Sequence, residues 1–328
     1  MVVDLDKLKY RKLTLRAKAL RVFVNPLKMK IKPDVRLSFF FMAMIISMSG
    51  YSQGCSDAGF CTVGVMKSNI NTNDAQNFRS QIKTGVSFGM VQYQVSIITS
   101  YVEYSHQIGG RTQASVKLLA GFHSGELATT VGMSDAIVQV SHRIGSQITA
   151  LGGIKIPFNQ SALSKNGRDL PMAYQTSLGT LDIILGVNYV MNAFSLSIGY
   201  QQPVTQNKNT FLAEDYLPDS PESKYISTNG YVRKGDALLR FAYSTPLKNN
   251  NFTLITSALP IYHLDNDQFL DSSGKLTEIA GSAGLTLNLN ASLLYEIAEK
   301  KTTRTINRCS CYFKRCETEW VESVRHRD

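Results

Sequence analysis

Residues 181–201 read LDIILGVNYVMNAFSLSIGYQ, and this stretch decides the fold. Apolar side chains alternate with mostly small or polar ones from Leu181 to Tyr189, and again from Phe194 to Gln201. Successive side chains of a strand point to opposite faces, so each half predicts a strand with one apolar and one mostly polar face. Residues 190–193 predict a tight turn between them, which makes the stretch a β-hairpin.

The same alternation recurs along most of the chain between residues 83 and 296. No part of this region shows the 3.6-residue period of an amphipathic helix, so the predicted fold class is all-β. The predicted strands are 83–90, 93–106, 112–122, 134–143, 147–158, 178–189, 194–201, 230–243, 252–263 and 276–296.

The connections between these strands alternate in length. Short ones are predicted at 107–111, 144–146, 190–193 and 244–251, and long ones at 123–133, 159–177, 202–229 and 264–275. A soluble sandwich has no reason to collect its long loops at one end, whereas outer-membrane barrels have short periplasmic turns and long external loops. The pattern therefore predicts an antiparallel transmembrane β-barrel over 83–299, with its apolar face toward lipid.

The residues before the strands resemble an export signal. A basic start at Met29–Lys32 precedes an apolar run at 37–46, and small residues follow it. We predict a signal peptide at 29–53, export to the Gram-negative outer membrane, and a non-native extension at 1–28. A membrane anchor is the alternative, but the apolar run is shorter than the ~20 residues of a spanning helix.

The net charge of +10 belongs mainly to the two ends of the chain. Lys and Arg outnumber Asp and Glu in 1–53 and in 300–328, while charges between these segments nearly balance. A nucleic-acid-binding domain would carry its basic surface on the folded region, so we expect no nucleic-acid partner.

The five cysteines fall into two groups. Cys55 and Cys61 lie close together after the export signal, which predicts a disulfide in an oxidising compartment. It would pin the irregular segment 54–82, either as a plug in the lumen or as a free periplasmic extension. The three later cysteines have no second ligand pair at suitable spacing, so we predict no metal site and no cofactor.

Three stretches carry a resemblance to a known family. QGCSDAGFCTVG at 53–64, PMAYQTSLGTLDIILGVNY at 171–189 and SIGYQQPVTQN at 197–207 are similar to a poorly characterised family of outer-membrane β-barrels. The resemblance covers about residues 29–299, and members are often labelled only outer membrane protein or transporter. It implies a barrel that continues for two further strands after residue 299.

Residues 300–328 do not continue the alternation. They contain three cysteines and the only tryptophan, Trp320, and the family motif expected there is missing. Reading degenerate codons for 314–328 one base later permits a motif similar to that of the family. We therefore interpret 300–328 as an out-of-frame tail, so that about ten of an expected twelve strands are visible and the barrel as written does not close.

The polar strand face is expected to line the barrel interior. Its charges nearly balance, which suits either a narrow pore for a small solute or a hydrogen-bonded network that only fills the barrel. The predicted lumen-lining residues are Glu103, Lys117, Gln139, Arg143, Lys155, Asp182, Asn188, Gln201, Asp236, Arg240, Thr286, Asn288 and Asn290.

We expect an outer-membrane pore or transporter, with lipid, the barrel assembly machinery and a small solute as partners. One alternative is a structural or adhesion scaffold acting through external loops. A barrel protease, lipase or acyltransferase would need a nucleophile or base beside carboxylates at one rim. The candidate bases are His106, His123, His142 and His263, but no spacing requires them to converge, so we predict no catalytic residue.

Overall fold

A computed structural model describes residues 79–247, 252–296, 303–312 and 315–326. The predicted extension at 1–28, the signal peptide at 29–53 and the Cys55–Cys61 disulfide lie outside the described residues. Of the irregular segment 54–82, the structure describes only the last residues, and from Ser80 onward these belong to the first strand.

Twelve antiparallel strands form a closed barrel. Each strand pairs with the next barrel strand along the chain, and the last strand pairs with the first. The barrel strands are β1 (Ser80–Met90), β2 (Ser96–Gln107), β3 (Thr112–Ser124), β4 (Thr129–Ile144), β5 (Ile148–Pro157), β8 (Asp182–Met191), β9 (Phe194–Pro203), β10 (Asp236–Pro246), β11 (Phe252–His263), β14 (Gly284–Glu296), β15 (Thr303–Tyr312) and β16 (Arg315–His326).

Two small hairpins and four short 3-10 turns complete the described elements. The hairpins pair β6 (Ser164–Lys165) with β7 (Arg168–Asp169) and β12 (Gln268–Leu270) with β13 (Leu276–Glu278). Within the described ranges, no helix is long and apolar enough to cross a membrane. The 3-10 turns are Gln92–Gln94, Met172–Tyr174, Ala213–Asp215 and Glu222–Lys224.

The two faces of the barrel wall differ in polarity, as the alternation predicts. On β8, Leu185 and Val187 expose 53% and 47% of their surface on the outside, while Asp182 and Asn188 are buried on the other face. Large apolar side chains are exposed in the same way on β1 to β5, β9 to β11 and β14. A continuous apolar surface of this kind is unstable in water, so the outside of the barrel faces lipid.

The three longest described connections lie at one end of the barrel, which we call the mouth. They span 158–181, 204–235 and 264–283, whereas the turns at 108–111, 145–147 and 192–193 lie at the opposite end. The predicted long loop at 123–133 is wrong. It is a four-residue turn, because β3 and β4 continue to a pair between Ser124 and Thr129, whose hydroxyl oxygens are 2.9 Å apart.

Four predicted strands begin too early, because residues with positive φ or loop pairing interrupt the alternation. The strand predicted from residue 93 begins at Ser96, after Tyr93 (φ +54°) and Gln94 (φ +61°). Gly179 (φ +71°) precedes β8, and Gly230 (φ +56°) precedes β10. These angles suit glycine, which lacks the Cβ that crowds the left-handed region. Residues 276–278 pair within a mouth loop rather than with β11, so the strand predicted at 276–296 begins at Gly284.

The prediction that the chain as written does not close is also wrong for the described backbone. β15 and β16 lie within 300–328, and β16 pairs with β1 from Ser80 to Phe88. Without them, β14 and β1 would carry unpaired backbone groups in lipid, which is costly enough that membrane barrels close. The expected count of twelve strands agrees with the structure, although the sequence of 300–328 lacks a regular apolar face.

Candidate pore interior

The thirteen predicted lumen-lining residues lie in barrel strands, and none is exposed on the outer surface. Nine are buried, with exposures between 0% for Asp182 and Gln201 and 6% for Gln139 and Asn188. The nine buried residues are Glu103, Lys117, Gln139, Lys155, Asp182, Asn188, Gln201, Asp236 and Asn288. The partly buried residues are Arg143, Arg240, Thr286 and Asn290.

The mouth loop 158–181, which we call the inner loop, contacts the inner wall of the barrel. The ring of His123, on the inward face of β3, lies 2.9 Å from the carbonyl oxygen of Ala173. The Ser177 hydroxyl donates to the Asp135 carboxylate on β4 at 2.7 Å. The inner loop is therefore attached to the inside of β3 and β4 rather than projecting away from the barrel.

Two paired glycines make room for this contact. Gly121 on β3 and Gly132 on β4 lie opposite each other, and Thr176 of the inner loop packs over both. A Cβ on Gly132 would lie 3.3 Å from the Thr176 hydroxyl, and one on Gly121 would lie 3.4 Å from the Thr176 Cβ. A Cβ at Gly132 would crowd the Thr176 hydroxyl, whereas a Cβ at Gly121 would first crowd the His123 ring, whose Nε2 would lie 3.0 Å away.

A small apolar core joins the inner loop to the other mouth loops. Tyr174 is fully buried against Val95 and Phe211, and its hydroxyl lies 3.2 Å from that of Tyr225. The backbone N–H of Leu127 donates to the Tyr174 hydroxyl at 3.1 Å. Burial and the hydrogen bond to Tyr174 raise the pKa of Tyr225 above its ordinary value, so Tyr225 stays neutral at physiological pH.

Charged side chains of alternating sign connect four barrel strands with two mouth loops. We call this set the mouth network. Asp182 on β8 accepts from Lys155 on β5 at 2.9 Å and from Arg233 of loop 204–235 at 3.4 Å. Arg233 also pairs with Asp236 on β10. These four side chains are almost completely buried, and burying such charges is tolerable only because each has a partner.

His263, at the end of β11, extends the mouth network to a second loop. Its Nδ1 lies 2.7 Å from Asp236 Oδ1, and its Nε2 lies 2.8 Å from Asp267 Oδ1 in loop 264–283. Carboxylates only accept hydrogen bonds, so both ring nitrogens must donate and the ring is an imidazolium in this arrangement. The network then contains three cations and three carboxylates.

Asp267 is held from three sides. It accepts from His263, from the Tyr231 hydroxyl at 2.5 Å and from the backbone N–H of Lys234 at 2.8 Å. Burial by itself would raise the pKa of Asp267, but the hydrogen bonds from His263 and Tyr231 outweigh it and hold this pKa below its usual value. Asp267 therefore stays ionised at neutral pH.

A second charged group lies on β1, β2 and β3. Lys83 lies 3.6 Å from the Glu103 carboxylate, and Glu103 is paired across the sheet with Lys117. The Lys117 ammonium also lies 3.6 Å from the centre of the Tyr101 ring, a cation–π contact. The barrel interior thus carries charged groups on two separate parts of its wall.

The inward face is less polar than the sequence predicts. A cluster of buried aliphatic side chains faces inward beside the polar residues, and Tyr101 packs against it. Ile184 belongs to this cluster, although it lies on the strand face predicted to be polar. The cluster consists of Leu119, Ile137, Leu151, Ile184, Leu238, Leu259 and Ile261.

The structure does not bring the four candidate histidines together into one set. His106 bonds to Ser80, His142 to Thr112 and His123 to the Ala173 carbonyl, all through Nδ1. His263 alone among them lies between carboxylates, and its hydrogen-bond partners there include no Ser, Thr or Cys nucleophile. Within the described residues no cluster of His, Cys, Asp and Glu suits a metal ion.

The loop residues that join the mouth to the wall are missed by sequence reasoning, although their wall partners Asp182 and Asp236 are predicted. The alternation predicts a strand at Arg233, and loop length predicts an external position for the inner loop. Nothing in the pattern singles out Tyr231 or Asp267, and the sequence marks His263 only as a candidate base for an enzyme. The dense charge in YVRKGD, residues 231–236, and the polar run QTS at 175–177 are the signals that could have marked these contacts.

No protein-family model matches the chain, and no curated protein matches it in sequence. Among solved structures, the COG4313 outer-membrane channel from Pseudomonas putida F1 is similar, with a TM-score of 0.50 and 10% identity over 76% of this chain and 96% of that chain. The translocator domain of the autotransporter NalP from Neisseria meningitidis gives a TM-score of 0.45 and 12% identity, covering 83% and 97% of the two chains.

The similarity to the P. putida channel and the apolar outer surface both indicate a barrel embedded in the outer membrane. The chain has the fold of an outer-membrane β-barrel. At this identity the likeness shows the fold alone.

Proposed function

We propose that this chain is an outer-membrane channel that admits a small solute through a narrow, charged interior. The observation that carries the proposal is the inward polar face, on which charged residues of β1 to β3 and of the mouth network lie on separate parts of the wall. A twelve-stranded barrel is wider than the eight-stranded barrels that side chains fill, and the inner loop narrows it.

The similar P. putida protein is an outer-membrane channel, which supports this proposal without identifying a solute. The interior combines carboxylates, cations and an aliphatic cluster, so it selects by size and polarity together. Lipid and the barrel assembly machinery are the further partners that we propose, because a barrel of this kind has to be inserted into the outer membrane.

Planar bilayers test the proposal directly. We expect the full chain to give discrete conductance steps, and vesicles containing it to swell in small neutral solutes but not in large ones. Lys117→Gln removes an inward positive charge and should shift the reversal potential toward cation selectivity. The matched control is Leu118→Val, since Leu118 is exposed on the outer face and this change should leave selectivity unaltered.

A structural scaffold is the second candidate, favoured by the packed core of the mouth loops around Tyr174 and Phe211. It predicts a correctly inserted barrel that gives no conductance and no swelling. That result would contradict the channel proposal.

We also propose that residues 300–328 are read out of frame. This rests on the sequence, because the segment lacks the alternation of the other strands, although its backbone pairs as β15 and β16. Resequencing the end of the gene tests it. An early stop codon in the next frame would contradict this interpretation.

A further inference from the structure

The position of His263 suggests a role for the mouth network beyond filling space. The ring connects a carboxylate on the barrel wall, Asp236, with a carboxylate in a mouth loop, Asp267. Loop 264–283 is thus linked to the wall through an ionisable side chain, and loss of its proton would remove one of the two hydrogen bonds to the carboxylates.

We propose that the Asp236–His263–Asp267 contact is a pH-sensitive latch that holds loop 264–283 against the barrel wall and releases it when His263 loses its proton. The inference goes beyond channel activity, because the state of the loop can be measured whether or not the barrel conducts.

The balance of charge gives the reason for release. With an imidazolium at His263, the cations Lys155, Arg233 and His263 match the three carboxylates of the mouth network. A neutral ring can donate only one hydrogen bond, so one of its two carboxylates would face a lone pair instead. An unbalanced negative charge would then remain in a site that is nearly closed to water, which is unfavourable.

The elements packed against His263 contribute the other groups that respond. On β10, Asp236 is also paired with Arg233, so it keeps a cation when the ring becomes neutral. From loop 204–235, Tyr231 and the backbone of Lys234 still donate to Asp267. On β14, His263 faces Gly284, which has no charge. The weak point of the latch is therefore the bond between His263 and Asp267.

Backbone and neutral side-chain bonds also hold loop 264–283. Asp267 N–H donates to Ser282 Oγ at 2.8 Å, and the Ala283 N–H donates to Asn266 Oδ1 at 3.0 Å. Val232 and Gln268 form an isolated bridge to loop 204–235. The first two bonds keep the loop folded on itself, and the bridge joins it to loop 204–235, so loss of the proton at His263 should loosen the loop at the wall without unfolding the barrel.

Hydrogen exchange of the full chain in lipid vesicles tests the latch. Exchange of amides in 264–283 is compared at about pH 6 and about pH 9.5, after correction for the intrinsic rate. We expect roughly tenfold faster exchange at the higher pH, as for the loss of one hydrogen bond to a charged group. Strand amides in β8 and β9 should keep their protection at both values.

Two variants, each with its own control, decide the origin of the response. His263→Gln cannot titrate and should give the same exchange at both pH values, whereas His106→Gln should respond like the parent chain. Asp267→Asn should exchange faster at both values, and Asp265→Asn, which changes an exposed carboxylate in the same loop, should not.

The proposal is overturned if the parent loop exchanges equally at the two pH values. It is also overturned if His263→Gln keeps the full pH response, which would assign that response to another ionisable group. Faster exchange in all segments of the chain at the higher pH would indicate general loosening of the barrel and would likewise contradict a local latch.

Discussion

The outer and inner faces of the β8–β9 hairpin are built from neighbouring residues of the same strands but are stabilised in different ways. On the outside, Leu185 and Val187 face lipid, so we expect that exchange of either for another apolar residue leaves distant parts of the chain unaffected. On the inside, Asp182 and Gln201 belong to a network that reaches other strands and a mouth loop. The stability of the outer face depends on its apolar composition, whereas the stability of the inner face depends on specific pairs of side chains.

This difference predicts that the largest effect comes from removing an inner charge. Asp182→Ala leaves Lys155 and Arg233 buried beside each other without the carboxylate they share. We expect a loss of about 3–5 kcal/mol in the free energy of unfolding from lipid vesicles, measured by denaturant titration.

Asp265→Ala is the matched control for this prediction, because Asp265 is an exposed carboxylate whose described bond is to its own neighbour, Asn266. It should change stability by less than about 0.5 kcal/mol. Equal effects of the two substitutions would remove the distinction between the network and ordinary surface charge.

The outer face is tested by placing a charge in lipid. Leu185→Arg lies in the middle of β8 and should destabilise the barrel by about 2–4 kcal/mol, whereas Met191→Arg at the end of the strand should cost about 0–1 kcal/mol. Denaturant titration of both variants in the same vesicles measures this depth dependence. Equal losses of stability in the two variants would indicate that the outer surface of the barrel is not embedded in the hydrocarbon region of the membrane.

Alanine substitutions at two glycines with similar backbone angles distinguish the cost of backbone strain from the cost of disturbing the packed inner loop. Gly145 (φ +72°) has open space around a Cβ, while a Cβ on Gly179 (φ +71°) would lie 2.7 Å from the Gln160 carbonyl carbon. Alanine at either site carries the strain of the left-handed region, ~1–2 kcal/mol.

Gly179→Ala should lose about 1–3 kcal/mol more than Gly145→Ala, because it also forces the packed inner loop apart. Comparison of the two unfolding midpoints, together with proteolysis of residues 158–181, measures the difference. If both variants lost the same stability, the inner loop would be able to move away from the added Cβ without destabilising the protein.

The smallest expected effect is a dependence on acid at Asp267. Its folded pKa is held below the ordinary value of 3.8, so the stabilisation is fully present above that value and is lost as the pH falls through the lower folded value. At neutral pH the free energy of unfolding of the parent chain should exceed that of Asp267→Asn by about 1 kcal/mol. This difference should disappear below about pH 4. Paired denaturant titrations across this range measure it, and a constant difference would contradict the assignment.

The strand pattern was predictable because the alternation of side chains is a local property of an extended chain. Residues 181–201 determine both strands and the turn, and the predicted limits of 252–263 agree with β11. The inward and outward faces of the barrel wall were predictable for the same reason. Leu185 and Asp182 lie an odd number of residues apart on β8, so their side chains point to opposite faces. Ile184 is the exception, because burial among other inward aliphatic side chains overrides the simple polar expectation.

The mouth was not predictable in this way, because its contacts join residues far apart in sequence. His123 meets Ala173, and Arg233 meets Asp182, only after the barrel has brought those strands and loops to the same end. Local patterns assign Arg233 to a strand and the inner loop to the exterior, since nothing in their immediate neighbours records a partner some 50 residues away.

The sequence by itself therefore determined the all-β class, the apolar outer face, the inward position of Asp182 and Gln201, and the gathering of long loops at one end. Each follows from a two-residue period and from loop length. Only the tertiary structure decided that the inner loop packs on Gly121 and Gly132. It likewise decided that His263 lies between two carboxylates, because closure of the barrel sets which distant side chains share one enclosed space.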